Sequence, residues 1–240
     1  MILPLKDSIP SIHRPWAAWG IMFVTALIFV YQAFLPPREF VRTALQYGLV
    51  PAMVPFDPEG GLSGITGFIT YMFLHTSWWH AISNLWAFWI FSDNIEDVMG
   101  PWRFLAFYLI CGILAGIAHV VANPDGTIPV VGASGAISGV LGAYFLLYPR
   151  ARVLTFVFFL ILRLPATVYL GGWFLLQLVA GLQGGSDAVA WWAHLGGFIA
   201  GMALMPLFRT NRPVPAILPE IPQQQPEFDP EDPWARLRSK

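Results

Sequence analysis

Long apolar runs separated by short polar breaks dominate this chain. The first extends from Trp16 to Leu35, with Trp16 and Trp19 as aromatic anchors at its mouth, and Pro36-Pro37 ends it. Five more follow: Trp79 to about Val98, Trp102 to Ala122, Ser134 to Tyr148, Leu164 to Leu182 and Trp191 to Phe208. Several breaks have a local cause, in Gly100-Pro101, in the turn Asn123-Pro124-Asp125-Gly126 and in Pro149. A helix rises ~1.5 Å per residue and needs about 20 residues to cross a bilayer, so the pattern predicts six spanning helices. Two other apolar stretches are too short to cross. Ile65 to Leu74 reads as a helix packed near the outer surface. Val153 to Leu162, with Arg150 and Arg152 before it and Arg163 after it, keeps both flanks on one side. Between the first two spans, Arg38 to Gly64 is a long loop with amphipathic character, in which Phe40, Val41, Leu45 and Leu49 can lie on the membrane surface.

Composition agrees with the pattern. Of 240 residues 56% are hydrophobic and 11% charged, where a soluble domain carries about 25% charged residues. The fold class expected is an all-α polytopic membrane protein with no large soluble domain. Residues 1–15 form a short polar leader without a cleavable-signal pattern, 16–209 the membrane domain, and 210–240 a disordered, proline-rich tail. Six spans put both termini on one side. That side holds Lys6, Arg14, Arg103, Arg150, Arg152, Arg163, Arg209, Arg212, Arg236, Arg238 and Lys240, against Arg38 and Arg42 on the other. The excess of positive charge places both termini in the cytoplasm. A formal net charge of -1 gives nucleic acid nothing to hold by bulk charge. The chain has no Walker loop, dinucleotide fingerprint or H-E-x-x-H motif, so no cofactor or metal is expected. The lone cysteine, Cys111, lies within an apolar run and reads as an inert thiol.

Candidate chemistry lies at the outer ends of the even-numbered spans, which all run from outside to inside. Gly132-Ala133-Ser134-Gly135 opens the fourth span, and Ala193-His194-Leu195-Gly196-Gly197 lies at the start of the sixth. A serine between glycines at a helix start is a nucleophile candidate, although Gly/Ser pairs also pack membrane helices. Ser134 lies sixteen residues before Arg150 and His194 fifteen before Arg209. If both arginines mark the cytoplasmic surface, the two side chains differ in depth by only about 1.5 Å. Gly135, Gly139 and Gly142 on one helix and Gly197 and Gly201 on the other allow close approach. Neutral histidine is the usual base for a serine hydroxyl at neutral pH. No carboxylate lies in the outer half of any span, so the expectation is a Ser134–His194 dyad rather than a triad. His80 and Asn84, four apart on the second span, share a face and are suited to donate to an oxyanion. Paired mid-membrane charges and broken helices in repeated halves, the marks of a transporter, are absent from the sequence.

These residues resemble the rhomboid intramembrane serine proteases over about Ile65 to Pro206. The likeness rests on His80-x-x-x-Asn84, Gly132-x-Ser134-Gly135 and Ala193-His194-x-x-Gly197-x-x-x-Gly201, with Phe73-Leu74-His75 and Asp93-Asn94-Ile95-Glu96-Asp97-x-x-Gly100 in support. The resemblance implies a six-helix core, a catalytic Ser134–His194 dyad and an oxyanion site helped by His80 and Asn84. It further implies cleavage of transmembrane or membrane-adjacent segments of protein substrates, and an integral location in a bilayer, expected here to be a bacterial inner membrane. Substrates would pass the fifth span near Trp173, Phe174 and Gln177. The alternative is a non-cleaving rhomboid-like protein that binds membrane clients. Two features depart from the family pattern. The tyrosine that some members carry one turn after the serine is here Ser138, so His194 must be aligned by other packing, and the Trp-Arg pair of the first loop is missing.

Overall fold

The structure is a computed structural model and describes residues 2–54, 63–184 and 189–212. Among them are six helices of 14 residues or more: α1 (Trp16–Ala33), α4 (Trp78–Met99), α5 (Pro101–Ala122), α6 (Ser134–Leu147), α7 (Ala166–Leu182) and α8 (Trp191–Phe208). Two shorter helices, α2 (Pro37–Tyr47) and α3 (Ser63–Thr70), lie between α1 and α4. Three helices are long and apolar enough to cross a membrane by length and composition: α1, α5 and α8. α6 and α7 are apolar but shorter, and α4 carries Asp93, Glu96 and Asp97 near its end.

α6 is the axis of the bundle. Every residue from Gly135 to Tyr144 is buried, as expected for a helix that is apolar on all sides and enclosed by others. α8 lies against it at backbone distance. A Cβ on Gly197 would strike the carbonyl of Gly135, one on Gly201 the carbonyl of Gly139, and one on Gly142 the carbonyl of Phe198. This is the close approach that small residues permit between membrane helices. Phe88, Phe91, Phe104, Phe107, Tyr108 and Tyr144 fill the space around this pair. The outside is apolar as well: Phe23, Leu27, Trp89, Trp102, Leu175 and Leu207 are all exposed. Apolar spanning helices with an apolar exterior make the chain an integral membrane protein.

The fold is not wholly helical, contrary to expectation. β1 (Ile2–Asp7), β2 (Arg152–Val157) and β3 (Leu160–Pro165) form an antiparallel sheet in the order β1-β2-β3. The polar leader is therefore partly a strand. The apolar stretch 153–162 is a hairpin whose ends, Arg152 and Pro165, are paired, with Phe158 and Phe159 exposed at its tip. Val153, Thr155 and Val157 favour a pleated surface. Val153 and Thr155 point inward and Arg152 outward, the alternation of a half-buried strand.

The acidic end of α4 ties the leader to the bundle. Glu96 accepts hydrogen bonds from the N–H groups of Ala17 (3.0 Å) and Ala18 (2.8 Å), at the start of α1. Glu96 thus caps a helix other than its own, and its charge lies at the positive end of that helix. Asp97 accepts from the N–H groups of Ile12 (2.6 Å) and His13 (2.9 Å), and the Asn94 amide donates to the carbonyl of Ile9 (3.3 Å). At the same end, Tyr148 of the chain following α6 donates to the carbonyl of Asn94, and Thr210 beyond α8 donates to the carbonyl of Val98. α4, α6 and α8 therefore end together and run the same way.

Candidate active site

Because those three helices run parallel, their starting ends also meet. Ser134 is the first residue of α6, and the ladder there begins with Ile137 N–H to the carbonyl of Ala133 (2.9 Å). The N–H groups ahead of Ile137 in that turn stand outside the ladder and remain available to an anion. His194, in the first turn of α8, places Nε2 2.7 Å from Ser134 Oγ. The two residues are sixty apart in the chain, and the glycine contacts between α6 and α8 set their separation. The hydrogen bond has the geometry a general base needs toward a hydroxyl.

The other imidazole nitrogen, Nδ1, lies 2.6 Å from Oε1 of Gln177 on α7. Trp173, one turn earlier on α7, has its ring centroid 5.8 Å from that of His194, and Trp191 meets the imidazole edge-on at 6.4 Å. These contacts surround His194 in a chain that has no tyrosine one turn after Ser134. Ser138 lies at that position and donates to the carbonyl of Ser134 (2.6 Å), back along its own helix. The family resemblance associates Gln177 with substrate passage, and its contact with His194 is not among the sequence-based expectations. The legible signal was a polar side chain within an apolar run, a residue that must find a partner.

His80 and Asn84 lie across from the serine on α4. A Cβ built on Gly132 would stand 2.8 Å from His80 Nε2 and 3.7 Å from Ser134 Oγ. The two polar atoms thus border one small space that only a glycine leaves open. Gly132 also has φ +129°, which L side chains rarely adopt, and its N–H donates to the carbonyl of Tyr71 (2.9 Å). His80 Nδ1 lies 3.1 Å from Thr76 Oγ1. When the threonine hydroxyl donates to Nδ1, the ring proton sits on Nε2 and faces this space. Asn84 is buried, and its Nδ2 donates to the carbonyl of His80 (3.0 Å), one turn back on α4. An amide nitrogen carries two protons, so a second donor remains. His75 is fully buried with its ring 5.0 Å from that of His80. Cys111 is buried in the core beside Gly139. Among the described residues no cluster of His, Cys, Asp or Glu could hold a metal ion.

The model of the rhomboid domain matches residues 63–211, more than half of the chain. The chain belongs to the rhomboid family. It is 30% identical to Rhomboid protein 1, mitochondrial, of Saccharomyces cerevisiae over 139 residues, covering 54% of this chain and 38% of that protein. It is 31% identical to the human Presenilin-associated rhomboid-like protein, mitochondrial, over 137 residues, covering 54% of this chain and 34% of the relative. Over 75 residues it is 41% identical to Rhomboid protease GluP of Bacillus subtilis, 31% of this chain and 14% of that protein. This rhomboid therefore aligns with little more than a third of the length of its mitochondrial relatives.

Proposed function

We propose that this rhomboid is an intramembrane serine endopeptidase that cleaves transmembrane or membrane-adjacent segments of protein substrates. The observation that carries the reading is the 2.7 Å contact between His194 Nε2 and Ser134 Oγ at the starting ends of two helices packed at backbone distance. In the proposed reaction His194 takes the hydroxyl proton as Oγ attacks the scissile carbonyl carbon. The negative charge that develops on the carbonyl oxygen is met by free N–H groups at the start of α6, by His80 Nε2–H and by the Asn84 amide. His194 then gives the proton to the leaving amine, and the C–N bond breaks to leave an acyl ester on Ser134. Water, deprotonated by the same imidazole, attacks the ester and releases the acid and the free hydroxyl. A substrate helix must open locally first, since its scissile carbonyl is otherwise held in a helical hydrogen bond.

The reading includes six spans with both termini in the cytoplasm. α6 has 14 residues, roughly 21 Å of rise, and so is too short to cross a layer near 30 Å thick. That is intelligible if Ser134 lies below the outer surface at the floor of a hydrated cavity. Pairing of β1 with β2 is consistent with the N-terminal segment lying on the side of the α6–α7 connection, where Arg150, Arg152 and Arg163 are found. The mitochondrial names of two relatives and the bacterial source of the third leave the expected bacterial inner membrane a matter for fractionation of the source cell.

A fluorophosphonate tests the mechanism, because it labels an activated hydroxyl and not serine in general. Labelling should fall on Ser134, with Ser138 as internal control, and Ser134→Ala should abolish labelling and the cleavage of a transmembrane substrate in detergent. His194→Ala should remove most of both. Asn84→Ala should cost ~10²–10³ in rate at most, since other donors remain. A correctly folded wild type that binds such a substrate without cutting it would instead support the non-cleaving client-binding role.

A further inference from the structure

Gln177 is buried on α7, and its Oε1 lies 2.6 Å from His194 Nδ1. We infer that Gln177 is the positioning residue of the reaction: it holds the His194 proton on Nδ1, so that Nε2 faces Ser134 with a lone pair. The inference rests on the Ser134–His194 reading and deepens it.

A neutral imidazole has one N–H, and the group facing one nitrogen decides what the other can do. An amide oxygen can only accept. With Oε1 toward Nδ1, the proton is held on Nδ1 and Nε2 can receive the serine proton. The opposite tautomer would present an N–H to Ser134 Oγ and leave no base. The same contact fixes the ring in its plane, and Trp173, one helical turn from Gln177, lies against the imidazole from the same face of α7. When the ring becomes cationic, the amide dipole already points its negative end at Nδ1–H. A carboxylate would stabilise that cation more strongly, but it would carry a buried charge inside the bilayer through the whole resting state. An amide supplies orientation without that cost. Here the third member of the site is a neutral side chain on a separate helix, which is why a search for carboxylates finds only a dyad.

The test compares wild type with Gln177→Leu and Gln177→Glu, measuring kcat and KM on a transmembrane substrate in detergent across the pH range, with thermal denaturation as a folding check. Leucine fills the space but accepts no hydrogen bond. It should lower kcat by ~10²-fold or more, toward the roughly 10⁴-fold loss that a base held in the wrong tautomer suffers, with KM within about two-fold. Glutamate restores the acceptor and adds charge. It should keep kcat within about ten-fold of wild type at alkaline pH and move the acid limb of the rate profile to higher pH. A residue that only packed would give a normal kcat with leucine and an unmoved limb with glutamate, and either result overturns the inference. If Gln177→Leu fails to fold, the acid limb of Gln177→Glu decides alone. Ser134→Ala separates the two levels. A cleaving Ser134→Ala defeats the dyad itself, whereas an inactive Ser134→Ala beside a fully active Gln177→Leu defeats only the role of Gln177.

Discussion

Gly132 shows how much one residue can decide. Its backbone adopts φ +129°, and the place of its missing side chain is the space bordered by His80 Nε2 and Ser134 Oγ. Gly132→Ala should therefore do two separable things. The strained backbone costs roughly 1–3 kcal/mol of stability, and the methyl group enters the space where the oxyanion would form. We expect cleavage and fluorophosphonate labelling to fall by about 10²-fold or more while the variant still melts cooperatively, because loss of oxyanion contacts acts on the transition state. A variant that labels at the wild-type rate would show that the space is not used. Sequence spacing could suggest that Ser134 and His194 share a depth. It could not show that Ser138 is spent on the carbonyl of Ser134, or that Gln177 reaches His194. Both depend on which way helices are turned about their axes.

At the scale of elements, the α6–α8 contact holds the site. Gly201 meets the carbonyl of Gly139, and Gly197 that of Gly135. Gly201→Leu should force the helices apart, lowering stability by roughly 1–3 kcal/mol or more and reducing activity at a temperature where the protein remains folded. Measuring melting temperature and labelling rate together checks this, and a labelling rate untouched by the substitution would contradict it. At the opposite end of α4, Glu96 caps α1 through Ala17 and Ala18. Glu96→Gln keeps one acceptor, turns an NH2 toward the other N–H and loses the charge, a cost of about 1–3 kcal/mol for that N–H and roughly 0.3–1 kcal/mol for the charge. Glu96→Ala leaves both N–H groups without their acceptor, at about 1–3 kcal/mol for each buried one. Chemical denaturation should rank alanine below glutamine, with both below wild type. The glycine stripes were legible as packing faces, and Glu96 only as one residue of the Asp93–Gly100 motif. The helix it caps was not legible, because Ala17 is 79 residues away in the chain.

For the whole molecule, the sheet lies at the end of the bundle where α6 finishes, and Asp7 joins it to the core. Tyr144 donates to Asp7 Oδ2 at 2.6 Å, and burial raises the Asp7 carboxyl to about 6. A raised carboxylate pKa means that the folded chain binds the proton more tightly than the unfolded one. Its contribution is full below about pH 4, the unfolded value, and is lost as pH climbs through about 6. Asp7→Asn should keep an acceptor for Tyr144 and remove this dependence. We expect the variant to be more stable than wild type at pH 7.5 by roughly 1–3 kcal/mol, the scale of a shift of about two units, and the difference to vanish near pH 4. Melting curves at the two pH values measure it, and equal stabilities at pH 7.5 would refute it. The tail expected over residues 210–240 lies outside the described residues beyond Arg212.

The amino-acid sequence alone determined the apolar segments, their breaks at Gly100-Pro101 and Pro149, the small-residue faces and the candidates Ser134, His194, His80 and Asn84. These are local properties: hydropathy over one segment, turn chemistry over a few residues, periodicity along one helix. Only the tertiary structure decided the rest. Residues 2–7 form a strand because they meet residues 153–157, a pairing with no signature in a proline-bearing leader read by itself. Gln177 joins His194 because α7 packs with that face toward α8, and the space beside Gly132 exists because α4 brings His80 to it. Such contacts depend on the mutual rotation and approach of separate elements, which no single segment encodes.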